Sequence, residues 1–243
     1  MIVITGLRAE ARIAWAPGVD VFACGGNVER RAQAIKRAVF AGAPAIVSFG
    51  IAGGLSPHLS AGDWVVARGV ISGDRRIDTD LEWSNRLLGR LSGAELGNIV
   101  SVANPVIRPA QKRRLQAATG ASAVDMESFQ AAVLAEELGV PFAAVRVVAD
   151  PVHRELPSAA QLGLQRDGTV AIGAVVRSLL RQPKQIPSLI CVAGDALTAF
   201  RALLAGRDKL GPHFASLLCP TVVESRPSNA AGAPRPRAEP VPA

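Results

Sequence analysis

The sequence predicts an α/β fold, a central sheet covered by helices on both faces, with a further helix added towards the C-terminal end. Three observations point there. Apolar runs of four to six residues, bounded by Gly, Pro or Asp, alternate with longer segments of helical period. The runs are continuous rather than alternating, as in strands buried on both faces. The chain has 243 residues, of which 49% are hydrophobic and 19% charged, so it can bury a full core.

In order, strands are expected at about 1–5, 19–24, 44–49, 63–72, 98–103 and 141–149. The last, Pro141-Phe-Ala-Ala-Val-Arg-Val-Val-Ala149, is the most apolar stretch of its length. Helices are expected at about 28–41, 109–119, 127–138 and 169–182, the last closed by Pro183. From Pro187 to about Ala205 a further helix carries Leu189, Val192, Ala193, Ala196, Ala199, Phe200 and Leu203 at helical spacing, an appendage to a finished sheet. Three segments result: a catalytic domain at 1–182, a helical extension at 183–220 and a Pro-rich tail at 221–243 whose composition predicts disorder.

Composition narrows the function. With seven Phe, three Trp and no Tyr, the chain lacks the stacking platforms of a single-stranded nucleic-acid binder, and the net charge of +7 is scattered rather than run together. Cys24, Cys191 and Cys219 are too far apart for a disulfide framework or a zinc knuckle, which predicts a reducing compartment. The first residues have no basic stretch before an apolar segment, and no run of about 18 apolar residues is seen, so the expected location is cytoplasmic without a membrane span. His58, His153 and His213 have no ligand-spaced partners, so no metal site is expected, and neither a Gly-x-Ser-x-Gly elbow nor a Ser/His/Asp set can be assembled.

Five segments carry chemistry. Phe49-Gly-Ile-Ala-Gly-Gly-Leu55 follows a buried strand, and its glycines would let backbone amides approach an anion or a sugar oxygen, or would simply form a turn; Cys24-Gly-Gly26 invites the same two readings. In Asp125-Met-Glu127, Asp125 can cap the following helix while Glu127 sits favourably in its positive first turn. Alternatively Glu127 accepts hydrogen bonds from vicinal hydroxyls while Met126 lies against a sugar or base. Asp150 ends the most apolar strand, where open α/β sheets bind ligands; it is either a turn former before Pro151 or a carboxyl that desolvation keeps protonated as a general acid. Glu10 stands at an equivalent strand end, or on a solvated helix.

With these pieces in order, residues 1–182 resemble the nucleoside phosphorylase and nucleosidase superfamily, and most closely its methylthioadenosine/S-adenosylhomocysteine nucleosidase branch. The resemblance is carried by Gly6 to Glu10, Gly50-Ile-Ala-Gly-Gly-Leu55 with Gly62-Asp63, Val124-Asp-Met-Glu127 and Val140-Pro-Phe to Val145-Arg-Val-Val-Ala-Asp150. It implies a single-domain, three-layer phosphorylase/hydrolase-like fold with a mixed central sheet. It also implies a purine-protonating Asp150, a water-positioning Glu10 and a ribose-binding pair in Met126 and Glu127. Gly50, Ile51, Ala52 and Gly53 would face the nucleophile, and Val106 and Ile107 would offer backbone contacts to the base.

Three positions depart from the pattern. Ile51 lacks the hydroxyl that many relatives carry, Ala149 replaces the usual Ser, and Ser128 stands where Gly or Ala is common. Together with the added helix they resemble the hopanoid-associated branch, which implies an adenosylhopane phosphorylase releasing adenine. No cofactor is implied beyond phosphate or water as co-substrate. The implied partners are a purine nucleoside, in this branch lipid-linked, and further copies of the chain as a homo-oligomer, with no nucleic acid. Peripheral contact with the inner face of a membrane would use the added helix and its neighbours Arg177, Arg181, Lys184, Arg201, Arg207 and Lys209. A hydrolytic nucleosidase, a non-catalytic binding module and a dinucleotide binder are the rival readings; the missing GxGxxG weighs against the last.

Overall fold

A computed structural model describes residues 1–24, 28–157 and 185–216. The chain runs β1 (Ile2–Thr5), α1 (Arg8–Ala14), β2 (Asp20–Ala23), α2 (Val28–Phe40), β3 (Ile46–Gly54), β4 (Trp64–Ser72), β5 (Arg75–Asp78), α3 (Leu81–Arg90), β6 (Glu95–Ser101), α4 (Pro109–Thr119), β7 (Ala123–Asp125), α5 (Ser128–Leu138), β8 (Phe142–Asp150) and α6 (Ile186–Leu210). The expected helix at 169–182, the tail at 221–243, and Gly25 and Gly26 lie outside the described residues.

The eight strands form one mixed sheet in the order β2-β1-β3-β7-β6-β4-β5, and β8 bonds to both β3 and β4. Its ladder to β3 is parallel and its ladder to β4 antiparallel, so β3, β7, β6, β4 and β8 close into a ring. This is why β8 reads as a continuous rather than alternating apolar run, interrupted by Arg146: eight of its nine residues are buried. The layers follow from the two-residue period of the strands. Val3, Val47, Val145 and Val147 pack with Phe49, Trp64, Trp83 and Leu203 on the side of α1, α3 and α6. Ile2, Ile4, Ile46 and Ala144 pack with Ile35, Ala131, Ala132 and Ala135 on the side of α2 and α5. The expected three-layer α/β fold with a mixed sheet and a C-terminal helix is what the structure contains.

Four elements are absent from the sequence reading: α1, β5, α3 and β7. The β3 strand also runs five residues further than expected, so Gly50 to Gly54 is not a free loop but sheet, paired with β8 and, at Gly53 and Gly54, with β7. A bulge between Ala52 and Gly53 lets the strand turn from one partner to the other.

The added helix is no appendage. Ala199, Leu203, Gly206, Arg207 and Leu210 form its buried stripe, and at Gly206 the backbone comes so close to Trp64 that a Cβ would lie 2.1 Å from the indole. Arg207 cannot serve as a surface cation, as the sequence suggested. Its guanidinium is buried against Phe214 and donates to the carbonyls of Ala14, Gly211 and Pro212. The other half of α6 leaves Ile186, Ile190 and Leu197 exposed. Among the described residues α6 is the one helix long and apolar enough to cross a membrane by length and composition. Asp195 and Arg201 interrupt this stretch, so it is not an unbroken apolar run, although its mean hydropathy stays in that range.

Candidate active site

The carboxyl ends of β3, β7 and β8 and the start of α1 meet at a set of buried charges. Its centre is Arg146, the one basic residue of the apolar β8, fully buried. Its Nε donates to Asp125 Oδ2 at 2.8 Å and its Nη2 donates to Ser48 Oγ at 2.7 Å and to Ser128 Oγ at 3.1 Å. Nη2 also lies 3.6 Å from Glu127 Oε2. Nη1 has no hydrogen-bond partner. A Cβ on Gly50 would stand 2.6 Å from Nη1 and 2.6 Å from the Glu10 carboxyl, so only glycine lets these two groups face each other across β3.

Glu10 is buried on α1, not solvated. Its Oε2 accepts from the Leu7 amide at 2.7 Å and its Oε1 from the Ile51 amide at 2.8 Å. The Ile51 amide is therefore given to Glu10, and Glu10 becomes the link between α1 and β3. Burial pushes its pKa up, against Arg146 and the backbone amides of Ile51, Leu7 and Gly6.

Of the two acids in Asp125-Met-Glu127, Asp125 alone caps the following helix. Asp125 accepts from the Ser128 amide at 3.3 Å at the start of α5, and also from Ser101 Oγ at 2.5 Å, Ser128 Oγ and Arg146. Glu127 is the residue preceding α5 but its side chain makes no capping bond. It turns towards Gly6, where a Cβ would lie 2.9 Å from Oε1, and towards Arg146. Burial raises its pKa to about 7, opposed by Arg146 and reinforced by Asp125 and Glu10. Met126 beside it is exposed. The departure at Ser128 has a visible use: its hydroxyl joins Ser48, Asp125 and Arg146.

Asp150 sits in a second cluster, across Gly53, whose Cβ would lie 3.2 Å from Asp150 Oδ2 and 3.0 Å from Val124. Its partner is Lys112 of α4, fully buried, with Nζ 2.6 Å from Asp150 Oδ2. Burial raises the Asp150 pKa against the opposing Lys112 charge, and burial lowers that of Lys112. Val106 and Ile107 lie half-buried in the connection from β6 to α4, and the Ile107 carbonyl accepts from the Leu156 amide. Among the described residues no group of three His, Cys, Asp or Glu side chains is placed to hold a metal ion.

The structure thus gathers Glu10, Gly50, Ile51 and Glu127 around Arg146 and sets Asp150 apart with Lys112. Arg146 lies within one of the motifs that carry the resemblance, and a lone arginine in an apolar strand is the signal in the sequence that marks it. Lys112 was missed altogether, because beside Arg113 and Arg114 it reads as part of a solvated charge run.

A family model described as the phosphorylase superfamily matches residues 26–181. The chain belongs to the phosphorylase superfamily. Within it, solved structures share the fold. The 5′-methylthioadenosine/S-adenosylhomocysteine nucleosidase of Helicobacter pylori, bound to butyl-thio-DADMe-Immucillin-A, superimposes with a TM-score of 0.56 at 17% identity, covering 86% of this chain and 97% of its own. The nucleosidase of the same kind from Campylobacter jejuni gives 0.54 at 15% identity, covering 84% and 98%. The futalosine hydrolase of Helicobacter pylori gives 0.53 at 18% identity, covering 61% and 86%. No curated protein matches the sequence.

Proposed function

We propose that this phosphorylase-superfamily chain cleaves the N-glycosidic bond of a 5′-substituted adenosine and releases adenine, with phosphorolysis of adenosylhopane as its specific reaction. The observation that carries the reading is the division of the buried charges into two clusters. Bond cleavage at a nucleoside needs a proton on the leaving base and, at the ribosyl carbon, groups that hold the sugar and the nucleophile while positive charge develops. Asp150, whose pKa burial raises against the charge of Lys112, supplies the proton at N7 of the purine, and the backbone of Val106 and Ile107 contacts the base. Glu127 accepts from the ribose hydroxyls and Met126 packs on the sugar. Arg146 Nη1, Glu10 and the Gly50 to Gly53 strand surround the nucleophile.

The lipid-linked substrate is supported by the departures at Ile51, Ala149 and Ser128 and by the apolar outer residues of α6, Ile190, Leu197 and Leu204, which are exposed. In this proposal the enzyme works in the cytoplasm as a homo-oligomer, needs no cofactor, and touches the inner face of the membrane through α6. Hydrolysis is the second reading. It is favoured by Glu10, whose two oxygens each accept a backbone amide, the arrangement that suits a carboxylate ready to take a proton from water. Adenine release from adenosylhopane, methylthioadenosine and S-adenosylhomocysteine, each with and without phosphate, tests both. Phosphate-dependent turnover of adenosylhopane is expected; phosphate-independent turnover of the two sulfur nucleosides would replace it by the hydrolytic reading, and no adenine from any of them would overturn the function.

A further inference from the structure

The proposed mechanism makes no use of Lys112, yet no other lysine among the described residues is so enclosed. Its side chain has no solvent exposure. Its ammonium has three donors, and the structure supplies three acceptors: Asp150 Oδ2 at 2.6 Å, the Asp150 carbonyl at 2.7 Å and the Pro151 carbonyl at 2.9 Å. Two of these are backbone groups at the end of β8, so the lysine grips the strand end and the carboxyl together. Burying an ammonium is costly, and a fold that needed only a packed side chain at this site of α4 would be served by an apolar one.

We propose that Lys112 is a positioning residue for release of the base: it fixes the Asp150 carboxyl at the end of β8 and takes up the negative charge left there when the proton passes to the purine. The inference rests on Asp150 as the acid of the proposed reaction. In the step, the Asp150 O–H bond breaks and an N–H bond forms at N7. The glycosidic electron pair leaves with adenine, and an oxygen of phosphate or water bonds to the ribosyl carbon, with Glu10 taking the proton in the case of water. The Asp150 carboxylate is then the partner of an ammonium already in place, and regains its proton from solvent once adenine has gone. A charge that needs no rearrangement as the reaction proceeds stabilises the product side of the step. The other charges near the pair are Arg154 of the segment after β8 and Asp195 of α6, which are bonded to each other at 2.5 Å and act on Lys112 in opposite senses.

The test is the pH profile of kcat for adenine release by wild type, Lys112→Gln, Asp150→Asn and the double variant. Glutamine keeps hydrogen-bond donors for the carbonyls but no charge. The expected result is a loss of about tenfold to a hundredfold in Lys112→Gln, with the alkaline limb moved to higher pH because burial of Asp150 is no longer opposed. In the double variant the lysine change should cost nothing beyond Asp150→Asn. An unmoved limb, or an added loss in the double variant, would reduce Lys112 to a packing role and overturn the inference. Near wild-type activity in Asp150→Asn would instead sink the acid on which it rests. If Lys112→Gln does not fold, ¹⁵N resonance of the Lys112 ammonium in wild type decides: a shift that follows titration of the Asp150 carboxyl is expected, and a resonance blind to it overturns the inference.

Discussion

Arg146 Nε donates to Asp125 Oδ2 at 2.8 Å with both side chains sealed from solvent, so the two strands β8 and β7 are tied by a buried ion pair at the point where the sheet ring closes. Ser48, Ser101 and Ser128 take up much of the remaining hydrogen-bonding capacity. Burial disfavours the charge on Arg146, and Asp125, Glu127 and Glu10 together outweigh it, so its pKa is held above the ordinary value.

Breaking that pair should be costly. Asp125→Ala leaves the arginine charge buried without its main partner, a loss of about 3 to 5 kcal/mol. Equilibrium unfolding in urea measures it. A loss under about 1 kcal/mol would mean that solvent reaches the guanidinium, against the buried network described.

Glu127 makes stability depend on pH in a defined direction. Its pKa rises from 4.5 to about 7 on folding, so between these values the folded state holds a proton that the unfolded chain has released. Its contribution is complete below pH 4.5 and is lost as pH rises through about 7. Glu127→Gln removes this dependence, so its melting temperature relative to wild type should climb between pH 5 and pH 8. Thermal unfolding across that range checks it; parallel curves would show that Glu127 is not held protonated. The same variant should weaken nucleoside binding above pH 7, where the wild-type side chain is ionised, since an amide offers one acceptor group where the carboxylate offers two.

The exposed residues of α6 predict contact with a bilayer, using Arg201 and Lys209 but not the buried Arg207. The protein should sediment with phosphatidylglycerol vesicles at low salt and be released at high salt, each basic group near the surface contributing about 1 kcal/mol. Leu197→Asp should reduce recovery with the pellet. Equal recovery in the supernatant with anionic and neutral vesicles would remove the membrane role and leave the nucleoside chemistry standing.

What could be read from the sequence followed from local pattern. The buried strand β8 and the helices α2, α4 and α5 show in apolar runs, a Pro at the first turn of α4 and Gly120 and Gly139 closing α4 and α5 at φ 64° and 65°. What escaped depends on distant pairing. The three residues of β7 are a strand only because β3 and β6 lie on either side, and the ring closure through β8 has no local signature. The seven residues of α1 are too few for a helical period, so Glu10 was legible as a motif member but not as a buried group. An α3 signal was present and unused: Asp80 accepts from the Trp83 amide at 2.8 Å as its N-cap, ahead of buried Trp83 and Leu87. At the site, the carboxyls were visible as strand-end acids, while the cations that set their behaviour, Arg146 and Lys112, become visible only once β8 and α4 are placed.

The central claim is that Asp150 protonates the departing base, and the most direct measurement is single-turnover adenine release by Asp150→Asn beside wild type. Asparagine preserves shape but has no acidic proton to give. The account predicts a folded variant that still binds the nucleoside and releases adenine about two to four orders of magnitude more slowly. A variant that releases adenine at a rate close to wild type would contradict it.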